Sequence, residues 1–161
     1  MIAEAQKITT PQSDLIVTGN VYAFDTTMVD LCLNVFWWAT YRRAAGAVKL
    51  HALVDVRTSI PVFVLITAAS VHDVNGLDEI PYETGGYYVM DRGYVDFKRL
   101  STIDQHDAFF VIRARNNLQY IKLSSQKADK SKGIICDQQI SLKSFYPSHS
   151  YQKPLRRVKF L

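Results

Sequence analysis

The sequence predicts an α/β fold, and three features of its pattern carry that prediction. Short apolar or aromatic runs recur along the chain, two of them end in an aspartate, and amphipathic stretches separate several of them. A chain of 161 residues, 48% hydrophobic and 21% charged, is long enough to bury a core without disulfides or metals as staples. That composition excludes collagenous, low-complexity and disordered chains.

Residues 1–20 mix polar residues with Pro11 and Gly19 and show no periodicity, so they read as a leader or the remnant of a preceding region. The run VYAFDTT (21–27) has strand character, and its Asp and Thr residues are suited to cap a helix over MVDLCLNVFWWATY (28–41). In VKLHALVDV (48–56), alternation places Val48, Leu50, Ala52, Val54 and Val56 on one face of a strand, with Lys49, His51 and Asp55 mostly on the other. A tight RTS turn then leads to the apolar run IPVFVLITAAS (60–70), making a hairpin whose second strand is covered on both faces.

VHDVNGLDEIP (71–81) predicts one short helix starting at Asp73 or Asn75, and TGG breaks the chain before the strand YYVMD (87–91). Val95, Phe97, Leu100 and Ile103 form the apolar stripe of a helix, after which AFFVIRARN (108–116) returns to strand character. Residues 118–161 are lysine-rich and offer two short strands, in 133–142 and 156–161, with no helix. The expected organisation is therefore a leader (1–20), an α/β core (21–117) and a basic β-rich segment (118–161).

Cys32 and Cys136 stand far apart without a CxxC partner, which fits a reduced, cytoplasmic chain and gives no zinc or haem signature. No run approaches the ~18 apolar residues of a membrane span. Charge is divided: residues 1–91 carry 5 Lys/Arg and 10 Asp/Glu, residues 92–161 carry 14 and 5, so −5 and +9 give the net +4. An acidic half beside a basic half suits a protein that gathers metal ions in one place and an acidic polymer in another.

The chemistry rests on Asp25 and Asp91, which end the similar runs VYAFD and YYVMD. If these strands are parallel neighbours, both carboxylates emerge at the carboxyl edge of the sheet, where open α/β sheets place their ligands. Two carboxylates side by side favour a cation between them, and hard oxygen donors favour Mg²⁺ or Mn²⁺. Paired ions of that kind hold the attacking and leaving oxygens of a phosphoryl displacement. An aspartate at a strand end also serves as a helix cap, so spacing alone leaves both readings open.

FDTT, the block MVDLCLNVFWWATYRRAAGAVKLHALVDV, ITAASVHDVNGLDEI and YYVMDRGYVDF together resemble insertion-sequence transposases of the DDE superfamily, in the bacterial branch with a YREK signature. The likeness runs through about residues 20–117, and DRGY (Asp91 to Tyr94) is its most specific element. It implies a ribonuclease-H-like mixed sheet with flanking helices, Asp25 and Asp91 as catalytic metal ligands, and metal-dependent cleavage and transfer of DNA at element ends. It also implies DNA ends and target as partners, a possible homodimer and a place at the bacterial nucleoid.

The family's third ligand is a glutamate in Y-x₂-R-x₃-E-x₆-K. Here Glu4, Glu79 and Glu83 all precede Asp91, so no third acidic ligand follows. On this reading the chain stops within a β-rich insertion, is inactive alone, and leaves an apolar patch of its sheet uncovered.

Arg42, Arg43, Lys49, His51, His72, Arg92 and Tyr94 are the candidate DNA contacts; each is equally at home on a solvated surface or as a cap. Arg92 is also suited to hold Asp91 by a forked pair, and Gly93 to permit a turn that a side chain would obstruct. Trp37 and Trp38 read as core more readily than as base-stacking residues. Two alternatives remain: a non-catalytic DNA-binding module that interferes with an intact enzyme, and an unrelated domain in which Asp25 and Asp91 bind one Mg²⁺ for a small phosphate ester.

Overall fold

The computed structural model describes residues 17–31, 40–42 and 45–161. They fall into two compact units, one ending at Arg113 and one comprising Ala114–Leu161. The first is a mixed sheet of β1 (Val21–Leu31), β2 (Thr40–Arg42), β3 (Ala45–Asp55), β4 (Ile60–Ala68), β5 (Tyr87–Met90) and β6 (Phe109–Ile112). Strand β1 lies between β3, antiparallel to it, and β5, parallel to it; β4 pairs antiparallel with the far side of β3, and β6 runs parallel beside β5. Leaving aside the short β2, this is the five-stranded mixed sheet of a ribonuclease-H-like fold, with Asp25 on its first strand and Asp91 at the end of its fourth.

The helix expected over 28–41 is corrected at both described ends. Met28–Leu31 continue β1 and pair with β3 from Met28↔Lys49 to Leu31↔Gly46, and Thr40–Arg42 form β2. Ladder bonds to a strand arriving later in the chain outweigh a local apolar spacing that fits a helix. Residues 32–39, with Cys32, Trp37 and Trp38, lie outside the described residues, as does Arg43.

One face of the sheet is covered. A 3-10 segment (Asp73–Glu79) and helix α1 (Phe97–Gln105) contribute Leu77, Leu100 and Ile103, and the strands contribute Tyr22, Phe24, Leu53, Tyr88 and Met90, all buried. Asp96 caps α1 by accepting from the N–H groups of Lys98 and Arg99, 3.0 and 3.2 Å away. Arg99 then reaches across in a fork to Asp78 (2.8 and 2.7 Å), with Asn75 at 3.1 Å, joining helix to 3-10 segment.

The opposite face is open among the described residues. Ile66, Phe109 and Val111 are 59%, 52% and 56% exposed, alongside Val64 and Val89, where an uncovered apolar patch was expected. The apolar run of β4 is therefore covered on one face rather than two.

In the second unit, β7 (Tyr120–Gln126), β8 (Ile134–Leu142) and β9 (Leu155–Phe160) form an antiparallel sheet with Ile140 and Leu142 buried. Strand β7 forms where the sequence reads as a polar stretch, because Tyr120–Lys122 and Ser124–Gln126 find ladder partners in β8. A short helix, α2 (Phe145–Ser150), corrects the expectation of none; Pro147 sits in its first turn, where a missing N–H costs nothing. Among the described residues no helix is long and apolar enough to cross a membrane.

Candidate functional site

Strands β1 and β5 are parallel neighbours in the register Val21↔Tyr87, Tyr22↔Tyr88, Ala23↔Val89. Carried two residues further, that register sets Asp25 opposite Asp91 at the carboxyl edge. Backbone at Asp91 is still extended (φ −80°, ψ 175°), so alternation from buried Tyr88 and Met90 puts it on the same face as Asp25.

Each carboxylate is anchored through one oxygen. Asp25 Oδ1 accepts from the Thr26 N–H at 2.8 Å, and Asp91 Oδ1 from the Gly93 N–H at 2.5 Å. A Cβ at Gly93 would stand 2.8 Å from Asp91 Oδ1, so this close approach requires glycine. The other oxygen of each carboxylate makes no hydrogen bond or ion pair among the described residues. Asp91 is held by backbone and not by a fork from Arg92, whose exposed side chain forms no ion pair with it.

The donor set fits a small divalent cation. Two exposed carboxylates, each with a fixed and a free oxygen at one sheet edge, offer the hard ligands that Mg²⁺ and Mn²⁺ take. Among the described residues no group of three His, Cys, Asp or Glu gathers around a common point, so the edge offers two carboxylates. Glu83 is committed at the other end of β1, where it accepts from Asn20 (3.1 Å) and from the Tyr22 hydroxyl. Asp137 has both oxygens on Arg156 (3.0 and 2.6 Å), which holds its carboxyl below the usual range.

Beneath the edge, on the covered face, runs a chain of polar side chains. The Tyr94 hydroxyl donates to Thr26 Oγ1 (2.7 Å), Thr26 Oγ1 lies 2.7 Å from His51 Nδ1, and His51 Nε2 lies 2.8 Å from Thr67 Oγ1. Both ring nitrogens of His51 thus have hydroxyl partners. Burial pushes the imidazole pKa down, with Asp73 opposing and Lys49 adding to the effect. Burial likewise pushes the Tyr94 hydroxyl up to about 12; Thr26 opposes the shift, and Asp25, Asp73 and Asp91 reinforce it. Those three carboxylates therefore all act on one phenol.

The candidate DNA contacts differ in exposure. His51 is 0% exposed and Tyr94 3%, both buried beneath the edge. Lys49 is committed to Asp73 (2.8 Å) and to the Val71 carbonyl (2.7 Å). His72, at the start of the 3-10 segment, and Arg92 stay exposed. Arg42 lies on β2, at the end of the sheet that holds β3's first residues.

The pattern suited Thr26 to a helix cap and marked neither Thr67 nor Gly76. The hydroxyl directly after Asp25 in FDTT was the available signal, since alternation puts it on the face opposite the carboxylate.

Residues 18–159 match the family model described as the transposase DDE domain. The chain belongs to the DDE transposase family. A protein of Sinorhizobium fredii named as transposase y4zB is 28% identical over 83% of this chain and 38% of its own length. A transposase named for insertion sequence element IS5377 of Geobacillus stearothermophilus is 30% identical over 59% of this chain and 25% of its own. The DDE chain thus spans well under half the length of these relatives. The solved piggyBac transposase synaptic complex with hairpin DNA aligns at a TM-score of 0.45 and 10% identity, over 88% of this chain and 33% of that one, and carries no weight beside the family match.

Proposed function

We propose that this chain is the metal-binding part of an insertion-sequence transposase's catalytic domain, with Asp25 and Asp91 as ligands of Mg²⁺ or Mn²⁺. The reading is carried by the β1–β5 register, which brings the two strand-end carboxylates level on one face. When bound, such ions supply Lewis-acid stabilisation of the attacking and leaving oxygens in DNA strand cleavage and transfer. The chain's own contribution is orientation: the Thr26 and Gly93 N–H groups fix one oxygen of each carboxylate and leave the other for the ion. Arg92 and His72, both exposed, are the candidate phosphate contacts. No glutamate and no YREK pattern follows Asp91 in these 161 residues, so the family's third ligand is not among them.

DNA is the expected partner, and the lysines of residues 118–161 its expected contact. Lys122, Lys127, Lys130 and Lys132 are all exposed, which also favours the second reading, a DNA-binding module without catalysis. Fluorescence anisotropy of a labelled duplex separates the two. Adding Mn²⁺ to the wild-type chain is expected to tighten binding several-fold, because the charge of two uncompensated carboxylates that repels phosphate is neutralised, and D25N/D91N is expected to lose that increment while keeping its salt dependence. An equal Mn²⁺ response in both proteins would remove the acidic edge from the DNA path and leave the second reading.

A further inference from the structure

We infer that the Tyr94–Thr26 hydrogen bond, backed by His51 and Thr67, is a crossbar that sets the separation of the Asp25 and Asp91 carboxylates, which makes Thr26, Tyr94 and His51 positioning residues for the ion. This rests on the metal reading above and adds to it the groups that determine the geometry of the site.

The argument is one of connectivity. The Asp25 carboxylate is fixed by the N–H of Thr26, and the Asp91 carboxylate by the N–H of Gly93, the residue before Tyr94. Tyr94 itself donates its backbone N–H to the Asp91 carbonyl at 3.3 Å. The two anchors therefore belong to adjacent pieces of backbone, and the 2.7 Å bond from the Tyr94 hydroxyl to Thr26 Oγ1 joins those pieces directly. Beyond Ala23↔Val89 no ladder pair between β1 and β5 does so, because β5 ends at Met90. At the level of the carboxylates, the side-chain bond takes over the role of the ladder.

The crossbar is stiff because its inner end has no room to move. His51 is fully buried with both ring nitrogens bonded, its ring stacked on Phe24 at 6.3 Å and 11°. The Gly76 backbone closes the other side so tightly that a Cβ there would stand 2.9 Å from His51 Nδ1. Phe24 also meets the Tyr94 ring edge-on at 5.2 Å, so ring packing and hydroxyl contact are separable: phenylalanine at 94 keeps the first and deletes the second.

The test is Mn²⁺ titration of the full 161-residue chain, followed by electron paramagnetic resonance, with the melting temperature of each variant measured alongside. Tyr94→Phe and Thr26→Val are each expected to raise the Mn²⁺ Kd about tenfold, the lower end of what losing an outer hydrogen-bond partner costs a metal site, and Thr26→Ser to restore it. A purely structural role would lower Tm and leave the Kd of the folded protein unchanged. If D25N and D91N lose the ion while Y94F and T26V hold it as wild type does, the crossbar is overturned and the metal reading stands. If D25N and D91N bind Mn²⁺ as tightly as wild type, the metal reading fails and the crossbar with it. Should T26V not fold for want of a partner at His51 Nδ1, Y94F and T26S decide the matter alone.

Discussion

Asp91→Asn is expected to weaken Mn²⁺ binding by about a hundredfold or more, above what losing an outer hydrogen-bond partner costs, while the metal-free protein melts at the same temperature or higher. The two halves of that outcome have different causes. Asparagine keeps an oxygen to accept the Gly93 N–H, so the turn after β5 retains its cap. It removes one of two like charges that share a sheet edge and form no ion pair among the described residues, which relieves repulsion in the absence of metal. With Mn²⁺ at about 100 times the wild-type Kd, the wild-type chain gains about 2.7 kcal/mol from binding, and the variant gains little. Calorimetric melts with and without Mn²⁺ read both effects. A variant that melts lower without metal, yet gains as much from Mn²⁺ as wild type, would show Asp91 to be a cap and not a ligand.

Gly76→Ala is expected to destabilise the first unit by about 1–2 kcal/mol, although the same exchange at an unconstrained site stabilises by about 0.4–1 kcal/mol through the unfolded chain. The added methyl would stand 2.9 Å from His51 Nδ1 and 3.0 Å from Phe24 Cζ. Neither ring has space to yield: His51 is tied at both nitrogens to Thr26 and Thr67, and Phe24 is 2% exposed against Tyr94. Overpacking of this kind costs about 1–3 kcal/mol, which outweighs the entropic gain. Urea unfolding followed by near-UV circular dichroism of the tyrosines reports it, since Tyr22, Tyr88 and Tyr94 are all buried in this unit. A variant more stable than wild type would mean that His51 is held loosely, contrary to the packing around it.

The catalytic-edge hypothesis was legible because its signal is local: two runs of like composition each end in Asp, and parallel pairing of such strands brings their ends together. Leu100 and Ile103 were legible for the same reason, since a helix writes its buried stripe into its own spacing. The course of residues 28–31 was not, because Met28, Val29 and Leu31 fit a helix as well as a strand until β3 supplies their partners. The burial of His51 was not legible because β3 is apolar at both parities: Val48 and Leu53 are both buried, so alternation does not reveal which face is covered. Tyr94 follows Asp91-Arg92-Gly93 and reads as part of a surface motif; only the fold shows that its ring turns inward to Thr26. Strand β7 was hidden by its polar residues, whose ladder partners lie in β8, eight residues beyond its end.

The most direct measurement is paramagnetic broadening of backbone amide signals during Mn²⁺ titration of the ¹⁵N-labelled chain. If Asp25 and Asp91 share one ion, the Thr26 and Gly93 amides disappear first and together, at a substoichiometric Mn²⁺ level that leaves the Glu83 end of β1 sharp. Broadening that begins elsewhere, around Asp78 or Asp129 for example, or that reaches Thr26 and Gly93 at clearly different Mn²⁺ concentrations, would contradict a shared site at this edge.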